Sequence, residues 1–413
     1  MVDTARAHSG TVPVHTTGPA ARQAPGDMAD TVPLVPPGLL AGASRILFVT
    51  HLAIGDFTYM QACLRAFARA HPHVRIHLWV DERRRTADPS AWPHLRKYAL
   101  YDWLAACPWI DKVYDSTYSP AAFEHSIDEA RALDYPVVAS LAVVDCHRYA
   151  RLARRISPRG FVVGLKKPAE RLLHMASRWA GYRRLDAALP MYTAADCAGR
   201  HISDIYAGWF ARCFGVDVPP AARLPRLEIP DRWVRAAHAQ FAAWGFAVGR
   251  PVVFVNPYSK SPDRTWPLEH VATLARALRA RPAWRDAGII VNAVPEELDN
   301  ARRVFERHPD PALEHVRLFS ADEHFFQLPA AMRLCSLVIS VETAVMHLAN
   351  AVGVPVVALM RRNHPEWVPI DRERSTVLMA PDMDDWVTRI AVDDVLAVLD
   401  AQYAQAVRPP AIP

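Results

Sequence analysis

The sequence predicts an α/β protein of two doubly wound, Rossmann-like domains facing a central cleft. Three observations carry that expectation. A chain of 413 residues is long enough for two domains at roughly 100–200 residues each. Residues 45–80 read strand, glycine-containing loop, helix, strand, which is the pattern of a right-handed βαβ unit in a parallel sheet. The same alternation restarts after a proline-rich stretch at 216–230.

Residues 1–44 are rich in Pro, Ala, Thr and Gly, lack aromatic residues, and read as a disordered tail in which Met28 offers a second start. ILFVT (46–50) has strand length and composition, the loop HLAIGD follows, and Phe57 to Ala70 reads as a helix ended by His71-Pro72. VRIHLWV (74–80), VVAS (137–140) and FVVGL (161–165) complete the strands expected of a first domain, 45–215. VDVPPAARLPRLEIP (216–230) has four prolines and no helical period, as a linker would. The second domain, 231–383, opens on a helix to about Trp244 and continues with the strands VVFVN (252–256), GIIVN (288–292), VRLF (316–319), LVIS (337–340) and VPVVALM (354–360). Helices are expected at about 268–280, 296–307, 324–335 and 344–352 between them. A last helix, about 384–405, is expected to pack back across both domains, within a closing segment 384–413.

Composition bounds the class. With 51% hydrophobic and 22% charged residues the chain is an ordinary globular protein, not a collagen, a disordered chain or a disulfide scaffold. No apolar run of about 18 residues predicts a membrane span, and the start lacks the apolar core of a secretory leader, so a cytoplasmic location is expected. Six scattered cysteines with no CxxC pair argue against a zinc knuckle or a redox pair, and for buried thiols. The net charge of +5 conceals a local excess: eleven Arg or Lys stand between Arg148 and Arg184 against one acid, Glu170. Such a window is either a solvated face or the seat of an anionic partner, a phosphorylated glycan or acidic lipid surface. It contains no recognisable nucleic-acid-reading motif, so nucleic acid is not expected.

In doubly wound sheets ligands bind beyond the carboxyl ends of the strands, which singles out three loops. His51 to Asp56 is the first: Gly55 permits close backbone approach, and Asp56 either caps the next helix or serves as a general base. The second, Asn256 to Pro267, brings hydroxyls with Lys260 and Arg264, groups that hold a diphosphate through charge-assisted hydrogen bonds. Trp266-Pro267 is expected to fix that loop to the domain. The third is Ser340 to His347. There a strand passes into a helix whose free N–H groups around Thr343, Ala344 and Val345 favour a phosphate, with His347 one turn in as a further donor or as a packed core residue.

Together these loops resemble family 9 of the glycosyltransferases, the ADP-heptose heptosyltransferases. ILFVTHLAIGDFTYMQACLRAFARAHP is similar to that family's strand–xxxGD–helix opening, and NPYSKSPDRTWPLEHVATLARAL to its (K)xWP loop. SVETAVMHLANAVGVPVVAL resembles its D-T/S-G-x-x-H segment, and the likeness spans roughly 45–360. The resemblance implies a GT-B fold with the acceptor on the first domain and the nucleotide-sugar on the second. It implies Asp56 as catalytic base, Thr343, Ala344, Val345 and His347 around the diphosphate, and Glu342 against the donor sugar. Arg264 takes the place of a phosphate-contacting lysine, and Glu297 that of an acid beside the ribose. Three departures stand out: Glu342 replaces Asp, Ala344 replaces Gly, and Arg264 replaces Lys.

The expected chemistry is an inverting, metal-independent glycosyl transfer without a cofactor, from a nucleotide-sugar such as ADP-heptose. The acceptor is expected to be an anionic glycolipid or polysaccharide of lipopolysaccharide core or capsule type. Gly55, Arg148, Arg151, Lys166 and Lys167 are its expected contacts, at the inner membrane surface. The rival readings are a GT-B enzyme using a UDP- or GDP-sugar, and a scaffold that has lost catalysis.

Overall fold

The computed structural model describes residues 32–81, 83–168, 175–246, 249–306 and 310–403. Residues 1–31 with Met28, Glu170 and Arg171 of the basic window, and the tail from 404 lie outside the described residues. The strands β1 (Arg45–Thr50), β2 (Arg75–Val80), β3 (Lys112–Tyr114), β4 (Val137–Ser140), β5 (Phe161–Lys166) and β6 (Ala187–Pro190) form one sheet in the order β3-β2-β1-β4-β5-β6. The strands β7 (Val252–Asn256), β8 (Gly288–Asn292), β9 (Val316–Phe319), β10 (Leu337–Val341), β11 (Val356–Met360) and β12 (Ser375–Met379) form a second, β12-β11-β10-β7-β8-β9. Every pairing in both is parallel. Each order is the doubly wound one, with its switch point between β1 and β4 or between β7 and β10. Two Rossmann-like sheets with interleaved helices are the GT-B architecture.

In the first half the helices are α1 (Pro37–Gly42), α2 (Ile54–Ala70), α3 (Trp92–Arg96), α4 (Ala99–Ala105), α5 (Pro120–Arg131), α6 (Cys146–Ile156), α7 (Met175–Tyr182) and α8 (Ile202–Phe214). The second half has α9 (Asp231–Ala243), α10 (Leu268–Arg279), α11 (Leu298–Glu306), α12 (Gln327–Arg333), α13 (Ala344–Ala351) and α14 (Val392–Val398). The central strands are continuous apolar runs because helices cover both faces of a parallel sheet. One apolar cluster runs from the α2 and α8 side of the first sheet to the α12 and α13 side of the second. The opposite faces carry separate cores, around Trp79 in the first half and around Trp266 and Trp284 in the second.

The structure corrects the expected tail. From Pro33 the chain is packed: Leu34 and Val35 donate their N–H groups to the carbonyls of Arg212 and Cys213 at the end of α8, and Val35 and Leu40 are buried. Four apolar side chains in LVPPGLL explain it, since they gain more from the core than ordering costs. The last helix is corrected too. A 3-10 turn, Val387–Arg389, precedes α14, which begins eight residues later than expected, and packs on α10 and β12 of the second half without crossing to the first. Within 216–230 a 3-10 turn, Pro220–Arg223, is the only regular piece, and Leu227 N–H donates to Ala351 O (3.1 Å). All six cysteines are buried and unpaired with one another. Among the described residues no helix is long and apolar enough to cross a membrane, and no cluster of His, Cys, Asp or Glu suits a metal ion.

Candidate active site

Asp56 is the third residue of α2, which starts at Ile54 rather than Phe57. Its expected capping role is present. Oδ2 accepts the Ala53 N–H (2.9 Å) and so caps the helix, while Oδ1 accepts the Tyr206 hydroxyl (3.3 Å) from α8. Burial pushes the carboxyl above its ordinary range; the Ala53 and Tyr206 hydrogen bonds and the charge of Lys260 pull it back. Lys260 belongs to the β7–α10 loop, so the second half's cation reaches the first half's acid electrostatically. A buried carboxylate with a raised pKa at a strand's carboxyl end is suited to take a proton.

The helix that faces it is α13. Thr343 caps α13, its Oγ1 accepting the Val345 N–H (3.4 Å), and is itself held by Asn256 Nδ2 (3.0 Å). Asn256 also donates to Ser340 Oγ (3.1 Å) and accepts from Asn292 Nδ2 (2.8 Å). The ends of β8, β7 and β10 are thus cross-linked directly under the start of α13. A Cβ added at Gly55 would lie 3.6 Å from His347 Cδ2 and 4.0 Å from Ala344 Cα. The N-terminal turns of α2 and α13 therefore meet in van der Waals contact, which places Asp56 beside an anion-favouring helix start.

His347 is fully inside the protein. Its Nδ1 pairs with the Tyr59 hydroxyl (2.7 Å), and burial together with nearby His201 pushes its pKa down to about 3. It is therefore a neutral imidazole at neutral pH, unable to bring positive charge. His201 is likewise held near 4 by burial; Nδ1 accepts the Ser203 N–H (3.1 Å), leaving Nε2–H for the Val368 carbonyl (3.0 Å). Tyr59–His347 and His201–Val368 are both hydrogen bonds between the two halves.

Glu342 has an arginine for a partner. Its carboxylate receives the Arg361 N–H (3.1 Å), Nε (3.4 Å) and Nη2 (3.1 Å), and both side chains are at most 10% exposed. Arg361 follows β11, with its guanidinium over Trp386. Lys260 and Glu297 line one cavity of about 520 Å³ together with Tyr258 and Asn300. Arg264 ends the turn Pro262–Arg264 and stands half-buried outside that lining. Trp266 is buried, its indole N–H donating to Ile390 O (2.9 Å), the fixing role expected of it.

In the first half Arg148 lines a second cavity, about 320 Å³, with Arg83, Arg85, Asp81, Asp145 and Tyr149. Asp81 organises it, accepting from Tyr149 Oη (2.7 Å), Arg85 Nη2 (2.7 Å) and Arg83 N (2.9 Å). Arg83 and Asp145 both hold left-handed backbone (φ 58° and 51°), an unfavourable state for residues other than glycine. His51, in the Asp56 loop, stacks on Tyr149. Arg151 and Lys166 are exposed and Lys167 half-buried; none of the three lines the cavity. Sequence reasoning missed Asp81, Arg83, Arg85 and Arg361, although each follows a strand and the rule that found Asp56 points to them as well. Tyr59 and Tyr206 carry no such signal.

Residues 193–385 match the glycosyltransferase family 9 (heptosyltransferase) profile. That segment of the chain is therefore similar to a glycosyltransferase family 9 domain. The match supports a glycosyltransferase. Solved structures share the fold. A family 9 glycosyl transferase from Veillonella parvula DSM 2008 superposes with TM-score 0.66 at 18% identity, covering 86% of this chain and 96% of that one. The E. coli ADP-heptose lps heptosyltransferase II gives 0.60 at 16% identity, over 86% and 98%. E. coli heptosyltransferase WaaC with ADP gives 0.57 at 16%, over 88% and 99%. No curated protein matches the sequence.

Proposed function

We propose that the protein transfers a sugar, with inversion, from a nucleoside-diphosphate sugar held by the second half to an anionic glycan acceptor held by the first. The contact between the start of α2, carrying Asp56, and the start of α13 is the observation that carries this reading. Asp56 takes the proton of an acceptor hydroxyl as its oxygen bonds to the anomeric carbon. The bond from that carbon to the diphosphate breaks, and its electron pair leaves with the nucleoside diphosphate. Lys260, the α13 N–H groups and neutral His347 meet the developing charge. The cavity of Lys260 and Glu297 takes the nucleoside end, and Arg148 with its neighbours the acceptor's anionic group.

The donor we favour is ADP-heptose, since solved structural neighbours hold ADP and ADP-2-deoxy-2-fluoro heptose, and the acceptor a lipopolysaccharide core or capsule glycan. A second donor reading, a UDP- or GDP-sugar, draws on the Glu342–Arg361 pair, in which the acid expected against the donor sugar already has a partner. Melting with ADP, UDP, GDP and CDP at millimolar concentration separates them, because a ligand of the folded state adds RT ln(1 + [L]/Kd). ADP alone should raise the melting temperature; a preference for UDP or GDP overturns the heptose donor, and no response to any overturns the donor site. Asp56→Asn should keep the nucleotide response and lose transfer.

A further inference from the structure

Part of the basic window forms one outward surface, and the acceptor pocket does not account for it. Helices α6 and α7 are packed so closely that a Cβ on Gly181 would lie 2.5 Å from His147 O. The inward side of α6 is apolar, with Tyr149, Leu152, Ala153 and Ile156 buried, so Arg148, Arg151 and Arg155 stand outward at helical spacing. On α7 Trp179 is 61% exposed, the most exposed aromatic side chain among the described residues, and the Arg183 guanidinium lies 4.4 Å from its ring centroid. Arg183, Arg184 and Lys166 are exposed around it. Across 145–168 and 175–190 stand ten cations; Arg154, Arg155 and Arg159 are paired with Asp186, Glu124 and Asp134, and the surface keeps a positive excess through Arg148, Arg151, Lys166, Lys167, Arg178, Arg183 and Arg184 against Asp145.

An exposed indole ringed by arginines meets the requirements of a lipid–water boundary. The ring sits at headgroup depth, and each cation gains from an anionic surface. A soluble polyanion uses the arginines but leaves the indole in water. Moreover β5 ends at Lys166, and α6 begins at the same sheet edge as the Asp56 loop, so a membrane on this face lies alongside the cleft mouth.

We propose that the α6–α7 face, centred on Trp179 and Arg183, seats the protein on an anionic bilayer. The proposal rests on the acceptor reading only for its purpose, and lipid binding is measured without substrate. The full chain is sedimented with vesicles of phosphatidylcholine, and of phosphatidylcholine with phosphatidylglycerol, at low and high salt. Binding is expected only to the anionic vesicles and should weaken with salt. Arg183→Glu and Arg184→Glu should each lower partitioning by roughly fivefold for every unit of charge changed. Trp179→Ala should lower it at both salt concentrations. Melting temperature and nucleotide response should be those of the parent, which shows the variants folded. No vesicle binding, unaltered partitioning of the three variants, or capture by soluble heparin without binding to anionic vesicles overturns it.

Discussion

Gly55 allows the geometry of the site to be tested by degrees. A methyl group there meets His347 Cδ2 at 3.6 Å and Ala344 Cα at 4.0 Å, ordinary contacts that need no movement. Gly55→Ala should therefore fold as the parent does, with up to about 0.5–1 kcal/mol gained from replacing a helical glycine. A valine adds γ carbons about 1.5 Å beyond the Cβ. Carbon atoms pack at roughly 3.5–4.0 Å, so the starts of α2 and α13 must part by about 1 Å. A misplacement of that size between reacting groups costs on the order of a hundredfold in rate. The assay is release of nucleoside diphosphate under saturating donor, with donor affinity measured separately by calorimetry. Gly55→Ala should stay within about threefold of the parent, while Gly55→Val falls roughly a hundredfold with donor affinity intact. Equal transfer by the two variants would falsify the claim that this contact sets the distance between base and leaving group. Loss of donor binding in the valine variant would instead show that the diphosphate site is shared between the halves.

Other outcomes follow from the same side chains. Because burial raises the Asp56 pKa, its ionisation counts against folding, and that penalty appears as pH rises from the unfolded value through the folded one. Asp56→Asn, which keeps the cap on Ala53, should raise the melting temperature at neutral pH but not below pH 4. Tyr206→Phe removes a hydrogen bond that favours the charged carboxylate, so the acid limb of kcat/KM should move to higher pH; an unmoved limb would separate Tyr206 from the base. Arg361→Met strands Glu342 as a buried charge and should cost about 3–5 kcal/mol in denaturant unfolding. Adding Glu342→Gln should recover most of that loss.

The long buried strands were legible because they are apolar runs with turn residues at each end. The edge strands β3, β6 and β12 were not: KVY, AALP and STVLM are short, and half-buried or ending in proline. Asp56 and Thr343 could be read because a strand followed by a helix start marks a ligand edge whatever the rest of the chain does. Tyr206 and Tyr59 could not, since they reach Asp56 and His347 across 150 and 288 residues, and only the packing of α8 and α13 on α2 brings them there. Glu342 shows the converse: its place at the strand's end was legible, and its partner Arg361, 19 residues on, was not.

The first turns of α2 and α13 pack against each other, each amino-terminal pole carrying about half a positive charge. Like poles held together repel, and the Asp56 carboxylate between them offsets only part of that repulsion. The shared apolar cluster and the Tyr59–His347 and His201–Val368 hydrogen bonds are therefore a latch under electrostatic load. On the donor reading proposed above, a diphosphate seated beside both poles relieves that load.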